Sequence, residues 1–167
     1  STLTLDNSSA CNFKKNGRGP STVSKGFKTF DNQVTYEKNF WSIKCSHDGY
    51  LSKYGVIHKR ILEFDPNKYI IFGKERLIKK KNFKSTNFEI RFHLLPNLKI
   101  TKIQDNKSVL IELENSGWRF FSKDGLIGVE TGLYFGNKNN YIENQNIFIS
   151  GVTRDDEQII EWQISKI

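Results

Sequence analysis

Three histidines, each with an arginine or tyrosine close by, are the residues of this 167-residue chain best suited to chemistry. His47 is followed by Tyr50, His58 by Arg60, and Arg91 by His93. On a β-strand, residues two apart point to the same side. Each His–Arg pair would then stand side by side. Arginine clasps a carboxylate with two parallel hydrogen bonds. Imidazole and phenol groups can move a proton, and aromatic rings stack on the apolar face of a pyranose. His47, Tyr50, His58, Arg60, Arg91 and His93 therefore form a candidate binding set for an acidic or uronic sugar. A plainer reading stands beside it: a lone strand histidine is more often a satisfied structural residue.

Other machinery is missing. Gly125-Leu126-Ile127-Gly128 matches no nucleotide fingerprint. There is no Gly-x-Ser-x-Gly elbow and no close pair of histidines at metal-ligand spacing. Asp155-Asp156 reads as a solvated hairpin tip. Cys11 and Cys45 lack metal-ligand spacing, and read either as one bridge in an oxidising compartment or as two unrelated thiols. No residue is assigned as catalytic or as a metal ligand.

The elements that would position the candidates are strands. β-rich stretches fall at 2–6, 34–38, 40–47, 56–64, 69–77, 88–95, 99–104, 109–114, 118–123, 127–135, 141–152 and 159–164. Turn signals separate them, among them Asp65-Pro66-Asn67, Pro96-Asn97, Asp105-Asn106, Asn115-Ser116-Gly117 and Gly136-Asn137. About eleven short strands at near-regular spacing predict an all-β antiparallel sandwich in a single domain. No stretch shows a helical stripe. Residues 7–30 read as a long loop with at most a short strand, and 78–86 as a basic connection. Phe88, Ile90, Phe92 and Leu94 should share one face of their strand, with Glu89, Arg91 and His93 on the other. His58 and Arg60 should share a face with Val56 and Leu62, and His47 one with Trp41, Ile43 and Cys45.

Composition narrows the class. Aromatic residues are 13% of the chain, enough for a sizeable core and against disorder. No apolar run approaches the ~20 residues of a spanning helix. The net charge of +8 points to an anionic partner. It also reflects composition: Lys far outnumbers Arg, and Asn and Ile abound, as AT-rich codons dictate. The scarcity of Arg argues against nucleic acid. There is no Met, so the expectation is a processed chain or a fragment of a longer one.

Several segments together carry a resemblance. Ser46-His47-Asp48-Gly49-Tyr50, followed by Gly55-Val56-Ile57-His58-Lys59-Arg60, resembles the second domain of the bacterial heparinase II/III-like family. Ile90-Arg91-Phe92-His93-Leu94-Leu95-Pro96, then Gly117-Trp118-Arg119-Phe120, Val129-Glu130-Thr131-Gly132-Leu133-Tyr134-Phe135 and Glu161-Trp162, continue it in order along almost the whole chain. The resemblance implies a polysaccharide lyase of the cell envelope or periplasm, built from an N-terminal helical toroid and a C-terminal β-sandwich. Such enzymes cleave uronate chains by β-elimination. A base takes the proton α to the carboxylate, and Tyr or His protonates the leaving oxygen. The family's catalytic Tyr, and an Asn or His beside it, belong to the toroid, and a further His-rich strand opens the sandwich half.

By that resemblance this chain is the C-terminal sandwich alone. It would form one wall of a cleft for an acidic polysaccharide, against the N-terminal helical domain of the same parent, and would be inactive by itself. A divalent metal such as zinc is left to the full-length parent, and no cofactor to this stretch. Two other readings are a non-catalytic carbohydrate-binding sandwich, which would show Trp118 and Tyr134 exposed and coplanar, and a basic nucleic-acid-binding β domain. A bare apolar flank would favour the missing partner domain.

Overall fold

The computed structural model describes residues 2–19, 21–80, 84–103, 106–136 and 140–167. The middle of the 78–86 connection, residue 104 of the 99–104 stretch, and the Asp105 and Asn137 positions of two expected turns lie outside the described residues.

Fourteen strands and one short helix are present among the described residues. In chain order they are β1 (Thr2–Leu5), β2 (Asn12–Lys14), β3 (Thr22–Lys25), β4 (Thr29–Glu37), β5 (Phe40–His47), α1 (Leu51–Tyr54), β6 (Val56–Asp65), β7 (Ile70–Lys79), β8 (Asn87–His93), β9 (Lys99–Lys102), β10 (Ser108–Leu113), β11 (Ser116–Ser122), β12 (Leu126–Tyr134), β13 (Ile142–Val152) and β14 (Glu157–Lys166). A four-stranded sheet runs β1-β8-β13-β12, and an eight-stranded sheet runs β4-β5-β6-β7-β14-β11-β10-β9. Every strand pairing is antiparallel.

The two sheets close over one core, the packing expected of a β-sandwich. The smaller sheet contributes Leu3, Leu5, Phe88, Ile90, Phe92, Ile127, Ile147 and Ile149, and the larger Val56, Leu77, Val109, Ile111, Phe120, Ile160 and Trp162. Alternation along β8 does this directly. Phe88, Ile90 and Phe92 are buried, whereas Glu89 and Arg91 are half-buried and His93 is exposed. The Phe92 ring stands edge-on to Phe120 at 4.8 Å and to Trp162 at 4.7 Å, and so pins the sheets together.

The long loop expected at 7–30 is more ordered than its composition suggested. It holds the small β2–β3 hairpin, and β4 begins already at Thr29. Both hairpin strands are exposed throughout, so the hydrophobic pattern that reveals a half-buried strand is absent there. Helix α1 is a single turn, too short to leave a periodic stripe.

Candidate functional site

The Ser46–Tyr50 segment ends β5 and reverses the chain. The Asp48 carbonyl accepts the Leu51 N–H at 2.9 Å, α1 adds one turn, and Gly55 ends it in the left-handed region at φ 68° with its N–H on the Leu51 carbonyl. The chain then returns as β6, in a register that sets His47 opposite His58 and Cys45 opposite Arg60. Opposed residues of an antiparallel pair share a face. The next pairing sets Arg60 opposite Glu75 of β7. His47, His58, Arg60 and Glu75 therefore gather on the core-facing side of the larger sheet.

Their hydrogen bonds form one directed chain. The Gly49 N–H donates to His47 Nδ1 at 3.2 Å. His47 must then carry its proton on Nε2, which lies 2.9 Å from His58 Nδ1. His58 in turn carries its proton on Nε2, 2.6 Å from Glu75 Oε2. Glu75 is fully buried, and it also accepts from Arg60 Nε at 2.7 Å and from Trp162 Nε1 at 3.3 Å. Burial alone would raise the Glu75 pKa. The hydrogen bond from His58 and the Arg60 charge outweigh it and hold the carboxylate below its usual range. Burial, reinforced by His58, lowers the His47 pKa to about 4, so this ring is neutral at physiological pH.

Tyr50 is buried and donates its hydroxyl to the Leu3 carbonyl, tying β1 to the turn. Burial raises its pKa to about 12. The Phe27 ring covers His47 with centroids 4.6 Å apart. Beside the turn lies a cleft of about 920 Å³, lined by Ser8, Cys11, Phe27, Lys28, Asp48 and Lys53 among others.

Four of the six sequence-derived candidates thus come together: His47, Tyr50, His58 and Arg60. Arg91 and His93 do not join them. They lie on the outer face of the smaller sheet, where Arg91 is held by Glu89 at 2.5 Å and Glu130 at 2.8 Å. The three histidines therefore share no common surface. Two members of the cluster were not among the sequence-derived candidates: Glu75, and Trp162, which entered only as part of the resemblance. The signal for Glu75 was available, because it occupies an apolar-face position in β7, flanked by Gly73 and Leu77. Trp162 reaches Glu75 over Gly73, where a Cβ would meet the indole at 2.0 Å.

The cluster does not suit a divalent ion. Its histidine nitrogens and its carboxylate are engaged with one another, and no group of three His, Cys, Asp or Glu among the described residues is placed to hold a metal. Cys11 and Cys45 are both free and half-buried. Trp118 and Tyr134 make no common platform. Trp118 packs against the core, and Tyr134 sits in β12 of the other sheet.

The fold matches solved structures of large enzymes. Against the heparan sulfate lyase HepC from Pedobacter heparinus the TM-score is 0.76 at 15% identity, over 99% of this chain and 24% of that one. Against a heparinase III gene product it is 0.70 at 15% identity, over 99% and 23%. The chain thus spans about a quarter of the length of these structures. No curated protein sequence matches it. The family model described as "Heparinase II/III-like, C-terminal" matches residues 1–163, and the chain belongs to that family.

Proposed function

We propose that this chain is the C-terminal part of a polysaccharide lyase, and that in its parent it forms one wall of a cleft for a uronate-containing polysaccharide cleaved by β-elimination. The proton-transfer groups then come from elsewhere in the parent, and the chain alone is inactive. With this reading goes a location in the cell envelope.

One observation carries the proposal. The core-facing side of the larger sheet continues past the smaller sheet onto β4, β5 and β6, and there it is bare. Val34 opposes Ile43, and Tyr36 opposes Trp41, which opposes Phe64. Val34 is 73% exposed, Tyr36 82% and Ile43 41%. The Trp41 and Phe64 rings lie 5.7 Å apart in the same band. Contiguous exposed apolar surface of this kind marks an interaction site. It adjoins the Cys45–Arg60–Glu75 row, so a domain docked on it would face Arg60 and His47. The chains of similar fold are about four times longer, which leaves ample polypeptide to do so.

The test compares the chain with its parent on uronate-containing polysaccharides, following the ultraviolet absorbance of the unsaturated product. The parent should turn over and the chain alone should not. Clear turnover by the chain, or none by the parent on any acidic polysaccharide, overturns the proposal.

A further inference from the structure

Residues 7–30 hold five cations, Lys14, Lys15, Arg18, Lys25 and Lys28, and no Asp or Glu. They supply five of the chain's eight net positive charges. Elsewhere cations are compensated: Lys74, Arg76, Lys79, Arg91 and Lys99 each meet a carboxylate. Among the described residues, none of the five cations in this stretch does.

The stretch forms an arm. β2 and β3 pair only with each other, and every residue of both strands is exposed. The ties that shape the arm are its own. The Gly19 N–H donates to the Asn16 carbonyl at 2.8 Å, the Asn16 amide to the Thr22 hydroxyl at 3.1 Å, and the Ser24 hydroxyl to the Asn12 carbonyl at 3.2 Å. A lone two-stranded ribbon is marginal in water, so this one gains from a surface to lie on. Its register gives it unlike faces. Phe13 opposes Val23 on one face, 59% and 57% exposed, and Lys14 opposes Thr22 on the other.

The cleft of about 920 Å³ beside the turn continues this pattern. Phe13 lines it together with Leu51, which is 38% exposed, and so do Lys25, Lys28 and Lys53. Asp48 is the one carboxylate of that lining, and it accepts the Lys28 backbone N–H at 2.8 Å. Lys53 donates to the Ser8 hydroxyl at 2.6 Å, a neutral partner that leaves its charge uncompensated. Exposed apolar groups thus stand beside cations that no carboxylate balances.

We propose that this arm is a peripheral membrane contact, which seats on an anionic bilayer surface with Phe13 and Val23 at the headgroup–acyl boundary and the cations on lipid phosphates. Interfacial segments are held in this way, by apolar side chains sunk into the boundary and by basic groups on anionic headgroups. The apolar pair selects lipid over a soluble polyanion. A polyuronate or a nucleic acid would neutralise the lysines and leave Phe13 and Val23 wet. A single phenyl ring offers successive bases no run of platforms, and the Val23 side chain offers a sugar no hydrogen bond. The proposal rests on the arm and its cleft, whatever reaction the parent performs.

The test sediments the full chain with vesicles of equal parts phosphatidylglycerol and phosphatidylcholine, and with vesicles of phosphatidylcholine alone. Partition onto the anionic vesicles should be about tenfold stronger or more. Lys14→Gln and Lys25→Gln should each weaken it by about fivefold. Phe13→Ser should weaken it by about tenfold and abolish the part that survives high salt, since insertion is not screened. All three variants should keep the melting temperature, because the replaced side chains are exposed. Equal partition onto the neutral vesicles, no partition onto either, an unchanged Phe13→Ser variant, or binding of a soluble polyuronate or duplex DNA as tight as that of the anionic vesicles would each overturn the proposal.

Discussion

The Nε2 of His47 lies 2.9 Å from the Nδ1 of His58, and this contact completes a hydrogen-bonded chain that begins at the Gly49 amide and ends on the buried Glu75 carboxylate. Because both nitrogens of each ring are engaged, the two histidines hold the turn between β5 and β6 in a single arrangement. Glu75 is the anchor, since His58, Arg60 and Trp162 all donate to it. Glu75→Gln keeps the shape but removes the charge that Arg60 and His58 face. It should destabilise the chain by about 3 kcal/mol or more, as breaking a buried pair does. Denaturant unfolding checks this, and a variant within about 0.5 kcal/mol of the wild type would show that the anchor carries no weight.

The same chain predicts acid sensitivity. His47 has a folded pKa of about 4, below the value near 6.5 of an unfolded histidine. As pH falls through that window the unfolded state takes up a proton that the folded state refuses. Stability is therefore fully present above about 6.5 and declines towards about 4, by at most about 1.4 kcal/mol per pH unit, less the screening a half-buried ring enjoys. Glu75 acts in the same sense at lower pH. Its folded pKa is depressed, so its contribution is present above the unfolded carboxylate value and is lost as pH falls through the folded one. His47→Gln should flatten the stability curve between about pH 6.5 and 4.5. A variant as steep as the wild type in that range would assign the sensitivity elsewhere.

Gly73 is required by its neighbour rather than by its backbone angle. Gly73→Ala places a methyl group where the Trp162 indole now lies, 2.0 Å from its ring atoms. The indole must then swing out of contact with Glu75 and away from Phe92. The expected cost is about 2–3 kcal/mol, together with a red shift of tryptophan emission. An unshifted spectrum with unchanged stability would contradict this packing.

Much of the fold could be read from alternation. The faces of β5, β6 and β8 came out as the residue pattern required, with Phe88, Ile90 and Phe92 inward and Arg91 outward, because a half-buried strand writes its burial into a period of two. The pairing of strands left no such trace. Nothing local to Arg91 says that its strand belongs to the smaller sheet, so its separation from His58 emerged only in three dimensions. Glu75 was legible in principle, as a charged residue on an apolar face.

The bare band on β4 and β5 yields the last prediction. Tyr36 and Val34 have few neighbours to lose in this chain, so Tyr36→Ser combined with Val34→Thr should change its stability by no more than about 0.5 kcal/mol. The same pair should lower binding of a hydrophobic dye and reduce self-association, since the exposed apolar area shrinks. In the parent polypeptide the outcome should reverse. On the proposed reading the band is covered there, and polar groups placed in it must be buried without partners. The melting temperature of the parent should therefore fall while that of the isolated chain holds. If the parent tolerates the substitutions as well as the chain does, no domain covers this face, and the cleft it was to form is not built there.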